Sequence, residues 1–171
     1  MSETLDRLQV LFDNGGDIIW AILAGSILMW SLIIERYLYF AFTLPGLRQH
    51  LIQRWLDSVT RDALSQERLR TSLSAIYRSR TRNHLFPIQT LTGILPLLGL
   101  FGTVSGMIIV FDVITLFGTG NVRGMAAGIS EALITTMAGL ITALSGLYFS
   151  VNLESKAQRA IDIFELQLNY D

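Results

Sequence analysis

Gly124-Met-Ala-Ala-Gly-Ile-Ser-Glu-Ala-Leu-Ile-Thr-Thr-Met-Ala-Gly-Leu-Ile-Thr-Ala-Leu-Ser145 holds one ionisable side chain, Glu131, in a run otherwise free of charge. Its length and apolarity read as a membrane span. A charged side chain at the centre of such a helix costs roughly 2.5–3.5 kcal/mol, so a carboxyl retained there serves a pathway or a partner. Thr135, Thr136, Gly139 and Thr142 keep one side of the same helix small and weakly polar. Together these features point to ion-coupled work inside a bilayer.

Outward from this stretch, residues 18–34, 85–111 and 132–153 contain no Asp, Glu, Lys or Arg. Each run is near or above the roughly 20 residues that cross hydrocarbon as a helix. Behind the shortest, Tyr37, Tyr39 and Phe40 lengthen the span as an interfacial belt. With 51% hydrophobic and 16% charged residues in 171, the expected fold is all-α, a polytopic membrane protein with three transmembrane helices. No cysteine is present, which excludes disulfides and thiolate metal sites. Glu3, Asp6, Asp13 and Asp17 make the start acidic, the reverse of a signal peptide, so no cleavage is expected.

The net charge of −1 hides an asymmetry. Nine of the thirteen Lys and Arg lie between spans one and two: Arg36, Arg48, Arg54, Arg61, Arg68, Arg70, Arg78, Arg80 and Arg82. The loop between spans two and three has Arg123 alone. The positive-inside rule then puts the long loop and the carboxyl terminus in the cytoplasm and the amino terminus outside. The expected order is an amphipathic periplasmic segment at 1–16, span one at 17–40 and a cytoplasmic helical segment at 41–86. Span two follows at 87–117, a periplasmic loop at 118–124, span three at 125–152 and a cytoplasmic C-terminal helix at 153–171.

In the first segment Leu5, Leu8, Leu11 and Phe12 share a helix face, stopped by Asn14-Gly15-Gly16. Pro45-Gly46 is expected to break the chain after span one. Beyond it, Leu47, Leu51, Trp55 and Leu56, then Leu69, Leu73, Ile76 and Tyr77, recur at helical spacing and predict two amphipathic helices joined near 58–62. Their Arg residues read as a solvated face with some contact to membrane lipids, not as a nucleic-acid surface. Pro87 suits the first turn of span two and Pro96 is expected to bend it. Leu153, Ala157, Ala160, Ile161, Phe164 and Leu168 extend the apolar stripe of span three, predicting one long helix that runs on into the cytoplasm.

The chemistry concentrates in spans two and three. Thr92, Gly99, Thr103 and Gly106 fall near one face of span two, and Thr136, Gly139, Ala143 and Gly146 on one face of span three. Small residues let helix backbones approach, and hydroxyls hydrogen-bond across the contact. Gly99, Gly102, Gly106, Gly139 and Gly146 are therefore candidate packing positions, and the Thr residues serve packing or a polar pathway. Asp112 lies near the outer end of span two and reads as interfacial. His50 and His84 have no acidic or thiol neighbour at ligand spacing, so neither a metal site nor a cofactor is expected. Gly118-Thr-Gly-Asn-Val-Arg-Gly lacks the spacing of a dinucleotide fingerprint. With no convergent acid–base group and no nucleophile, an enzyme is disfavoured.

Leu95-Pro-Leu-Leu-Gly-Leu-Phe-Gly-Thr-Val-Ser-Gly-Met107, followed by Gly128-Ile-Ser-Glu-Ala-Leu-Ile-Thr-Thr-Met-Ala-Gly-Leu140, resembles the ExbB/TolQ/MotA proton-channel family, on its ExbB side. The paired motif covers about fifty residues, and the three-span layout extends the likeness along the chain. The resemblance implies a homo-oligomeric ring of five copies around two copies of an ExbD-like single-span protein whose membrane helix carries an aspartate. It implies proton flow that moves this partner and drives a TonB-like protein in outer-membrane uptake. By position, Thr103 and Thr136 would line the pore and Glu131 would match the family's span-three glutamate. The segment between spans one and two is shorter than in the long members, as in small ExbB-like subunits of accessory TonB systems. Three other readings stand beside this one: a TolQ-like subunit for envelope constriction, a MotA-like stator, and a non-conducting membrane scaffold. Four spans and a larger cytoplasmic domain in MotA-type chains disfavour the stator.

Overall fold

The computed structural model describes residues 16–56, 63–83 and 85–170. The helices are α1 (Gly16–Leu38), a π-helical turn (Tyr39–Thr43), α2 (Leu44–Leu56), α3 (Ala63–Arg82), α4 (Leu85–Phe117) and α5 (Val122–Tyr170). Among the described residues there is no strand. Three of the helical stretches are long and apolar enough to cross a membrane. The amphipathic segment expected at 1–15 and the joint expected near 58–62 lie outside the described residues.

Local chemistry sets the helix ends. Gly118 takes a positive φ of 70° and its N–H donates to the Ile114 carbonyl at 2.9 Å, closing α4 with the left-handed cap that glycine tolerates best. Three residues on, the Asn121 side chain accepts from the Gly124 N–H at 3.1 Å and opens α5 as an N-cap. Pro87 sits in the first turn of α4, and the helix continues through Pro96.

Pro45-Gly46 does not break the chain. The helix passes through both residues, and the irregularity falls just before them. There the Leu44 N–H donates to the Tyr39 carbonyl, the wider i→i−5 pattern of a π turn. A proline in a regular helix clashes with the carbonyl four residues back. A π bulge one turn earlier re-aims those carbonyls, so the helix absorbs the proline instead of ending.

The chain packs as two compact units, Met1–Trp30 with Gln89–Leu147 and Ser31–Ile88 with Tyr148–Asp171. In the first, α4 and α5 meet along glycines. A Cβ on Gly106 would lie 2.7 Å from the Gly128 carbonyl oxygen, and one on Gly139 would lie 2.8 Å from that of Leu95. Gly99 faces the Thr135 and Thr136 backbone, Gly102 faces the Thr135 side chain, and Gly146 meets Met29 of α1 and Thr92 of α4. All five candidate packing glycines of spans two and three thus lie where backbones or side chains come closest.

The second unit has a core of large side chains: Leu44, Leu51, Trp55, Leu73, Tyr77, Ile161, Phe164 and Leu168. Tyr77 stacks on Phe164 with ring centroids 4.3 Å apart. Arg78–Glu165 and Arg82–Glu154, each 2.8 Å, tie α3 to α5 at the rim, and such half-exposed pairs contribute about 0–1 kcal/mol apiece. Burial pushes the Tyr77 hydroxyl above its ordinary pKa, with Tyr39 adding to the rise and Arg48 opposing it.

Two tests follow from this packing. Gly106→Ala should destabilise the protein by about 1–3 kcal/mol, because no side chain is available to yield. Gly93→Ala, at a position with open space around it, should be neutral or stabilise by up to about 1 kcal/mol. Denaturant titration in micelles compares them, and equal effects would remove the close-approach argument. Because the fold favours neutral Tyr77, its contribution is intact below about pH 10 and declines as pH rises through that value toward the elevated folded pKa. Tyr77→Phe keeps the ring stack and should flatten that part of the stability profile between about pH 9 and pH 11.

Candidate functional site

All eight singled-out residues sit on α4 and α5 within the first unit, and Gly146 adds a contact to α1. Thr136 is half-buried, and its hydroxyl lies 3.0 Å from the Gly99 carbonyl oxygen of α4 and 3.1 Å from the Ala132 carbonyl oxygen of its own helix. One proton serves two acceptors, so this hydroxyl joins the two spans while remaining able to fall back on its own helix. Thr103 is also half-buried but stays with α4, donating to the Leu100 carbonyl at 2.6 Å. It lies beside the glycine seam, not on it.

Glu131 is half-buried, and its carboxylate lies against Gly16, the first residue of α1. Gly16 has a φ of 60°, and a Cβ there would run into that carboxylate. The first-turn amides of a helix lack intrahelical acceptors and carry its positive end, so a carboxylate beside them is attracted electrostatically. The structure therefore places the Glu131 carboxylate at the start of α1. Among the described residues no hydrogen bond joins Thr103, Thr136 and the Glu131 side chain to one another.

Three features escaped the sequence reading. Thr135, grouped there only among small residues, is fully buried. It donates within its own helix, 3.0 Å from both the Glu131 and Ala132 carbonyl oxygens, and fills the space left by Gly102. Thr92 of α4 donates its hydroxyl toward the Met29 sulfur of α1 at 3.9 Å, beside Gly146, so three helices meet there. In the second unit Arg36 is only 3% exposed. It stands 4.0 Å from Glu35 and 4.8 Å from the Tyr39 ring, and its Nε and Nη1 make no hydrogen bond among the described residues. A sequence signal for Thr135 exists, since it lies three and four residues from Ala132 and Gly139. None exists for Arg36, which in the sequence is one of nine basic residues counted between spans one and two.

Hydroxyls accept and donate and helix carbonyls accept, so the chemistry such a site offers is relay of hydrogen bonds.

Comparison with known proteins agrees with this composition. Residues 41–166 match the model of the MotA/TolQ/ExbB proton channel family. Two relatives come from Synechocystis sp. (strain ATCC 27184 / PCC 6803 / Kazusa). A "putative biopolymer transport protein ExbB-like 1" is 38% identical over 91 residues, covering 48% of this chain and 36% of the relative. A "putative biopolymer transport protein ExbB-like 3" is 43% identical over 70 residues, covering 40% of this chain and 32% of the relative. The chain thus aligns with about a third of the length of each of these relatives. The family match spans most of the sequence, the helices are long and apolar enough for three spans, and the chain belongs to the MotA/TolQ/ExbB proton channel family.

Proposed function

We propose that this protein is a non-enzymatic subunit of an inner-membrane motor that uses proton flow to energise TonB-dependent transport across an outer membrane. The observation that carries the reading is the Thr136 hydroxyl. It is held between two spans, within the charge-free run of each. Two nearly equal acceptor distances, 3.0 and 3.1 Å, let it re-aim at small cost. A hydroxyl of that kind can solvate a proton-bearing carboxylate from a partner helix in one state and release it in another.

In this reading five copies form a ring around two copies of an ExbD-like single-span protein, with Thr103 and Thr136 facing the pore. The exposed apolar side chains of α4, among them Leu97, Phe101 and Phe111, supply surface for lipid and for neighbouring copies. The carboxyl-terminal part of α5 lies in the cytoplasm. One proton crossing about 100 mV releases roughly 2.3 kcal/mol, enough to bias a loosely held partner helix. The ExbB-like names of the relatives favour the TonB client over envelope constriction.

The test co-expresses the protein with a single-span partner bearing a membrane aspartate and combines native mass spectrometry with proton flux into liposomes. Wild type should form a pentamer that takes up two partners. Thr136→Val and Thr103→Val should assemble equally well yet lose at least about tenfold in flux, a typical effect of removing a proton-transfer group. Undiminished flux in both variants would defeat the pore assignment and leave a scaffold.

A further inference from the structure

The second unit contains a groove of about 290 Å³ that the motor reading does not use. Phe40, Leu44, Pro45, Ala160 and Ile163 make its apolar walls, and Tyr77 contributes to its lining. Arg48, Lys156 and Arg159 bring three positive charges to the same space. We propose that this groove holds the phosphate headgroup of an anionic phospholipid, with an acyl chain lying along the apolar wall.

Charge is the first argument. The carboxylates of the unit whose partners are seen are engaged elsewhere: Glu154 by Arg82, Glu165 by Arg78, Asp162 by Gln158, and Glu35 nearest Arg36. Among the described residues none forms an ion pair with the groove's three cations. Among the described residues Arg48 donates only its Nε, to Gln167 at 3.0 Å, and its terminal nitrogens can turn to a phosphate. The Lys156 ammonium lies over the Tyr37 ring, 4.5 Å from its centroid, a contact that positions the charge without neutralising it.

Position is the second argument. Phe40 follows the end of α1 by two residues, and Lys156 follows Leu153, the end of the last charge-free run, by three. The groove therefore opens at the level where hydrocarbon gives way to water. A free phosphate would use the cations and leave Phe40, Leu44 and Ile163 idle. A phospholipid uses both, since basic pockets beside membrane helices take anionic headgroups.

Native mass spectrometry of the full chain, purified in detergent and titrated with palmitoyl-oleoyl phosphatidylglycerol or phosphatidylcholine, reads the site. Wild type should retain phosphatidylglycerol at least about tenfold better than phosphatidylcholine, the scale expected for two or three cations near an anionic lipid. The double variant Lys156→Gln/Arg159→Gln should lose that preference. Ile163→Glu, which sets a carboxylate at the half-exposed wall while keeping the three cations, should lose it too. Arg68→Gln/Arg80→Gln removes the same charge outside the groove and should behave as wild type, with helicity checked for every variant. Retention by the groove variants overturns the proposal, as does equal loss in the Arg68/Arg80 control. Displacement of the lipid by millimolar inorganic phosphate would reassign the groove to a small anion and overturn it as well.

Discussion

Carbonyl oxygens of one span lie against glycine Cα atoms of the next, and the first unit depends on that approach. Between helices in lipid there is no hydrophobic driving force, because acyl chains are as apolar as leucine. Association then rests on dispersion, which fades within fractions of an ångström, and on hydrogen bonds across the contact. Gly99, Gly102, Gly106 and Gly128 remove the side chains that would hold the backbones apart. Once the backbones touch, Thr135 has nowhere to go but inward, and the Thr136 hydroxyl comes within reach of the Gly99 carbonyl.

That reach gives the seam a property a fully apolar contact lacks. A buried hydroxyl without a partner is costly, yet Thr136 has two acceptors on different helices at almost one distance. Losing either bond leaves the other, so local rearrangement strands no polar group. Thr103, tied to Leu100 on its own helix, is satisfied in the same self-contained way. Hydroxyls anchored like this can turn toward water or a carboxylate and return without unpacking the helices.

The spans and their glycines were legible because charge-free length and small-residue spacing are properties of the chain alone. Adjacent residues were harder. Thr135 and Thr136 are about 100° apart on the helix, and only the partner's position decides that the first is sealed and the second bridges. Pro45 was misread because a proline's effect depends on whether the preceding turn can widen, and the π turn at Tyr39–Thr43 does so. The charge-free setting of Glu131 was plain, but its nearness to Gly16 needed the packing of α1. Arg48, Lys156 and Arg159 lie more than a hundred residues apart in sequence at their extremes, so no local pattern announces their groove.

Helix α5 changes the kind of residue it buries along its own length. Its buried positions run Gly128, Ala132, Thr135, Gly139, Ala143, Gly146 and Ser150, then Leu153, Ala157, Ile161, Phe164 and Leu168. In the charge-free run, large apolar residues gain nothing by leaving lipid, and Leu133, Met137, Leu140, Ile141 and Leu144 stay exposed. In the second run, where Glu154, Lys156, Arg159, Asp162 and Glu165 crowd the other faces, apolar area removed from water contributes about 25 cal/mol per Å². There large residues turn inward and meet Tyr77, Trp55 and Leu51. One unbroken helix therefore carries two opposite packing rules. The switch between them falls near Tyr148–Leu153, where aromatic side chains gather: Tyr148 and Phe149 edge to face at 5.3 Å, and Tyr37 against Phe149 at 6.3 Å. Aromatic rings with a polar tip concentrate where apolar and aqueous surroundings meet, and this gathering coincides with the end of the charge-free run of α5.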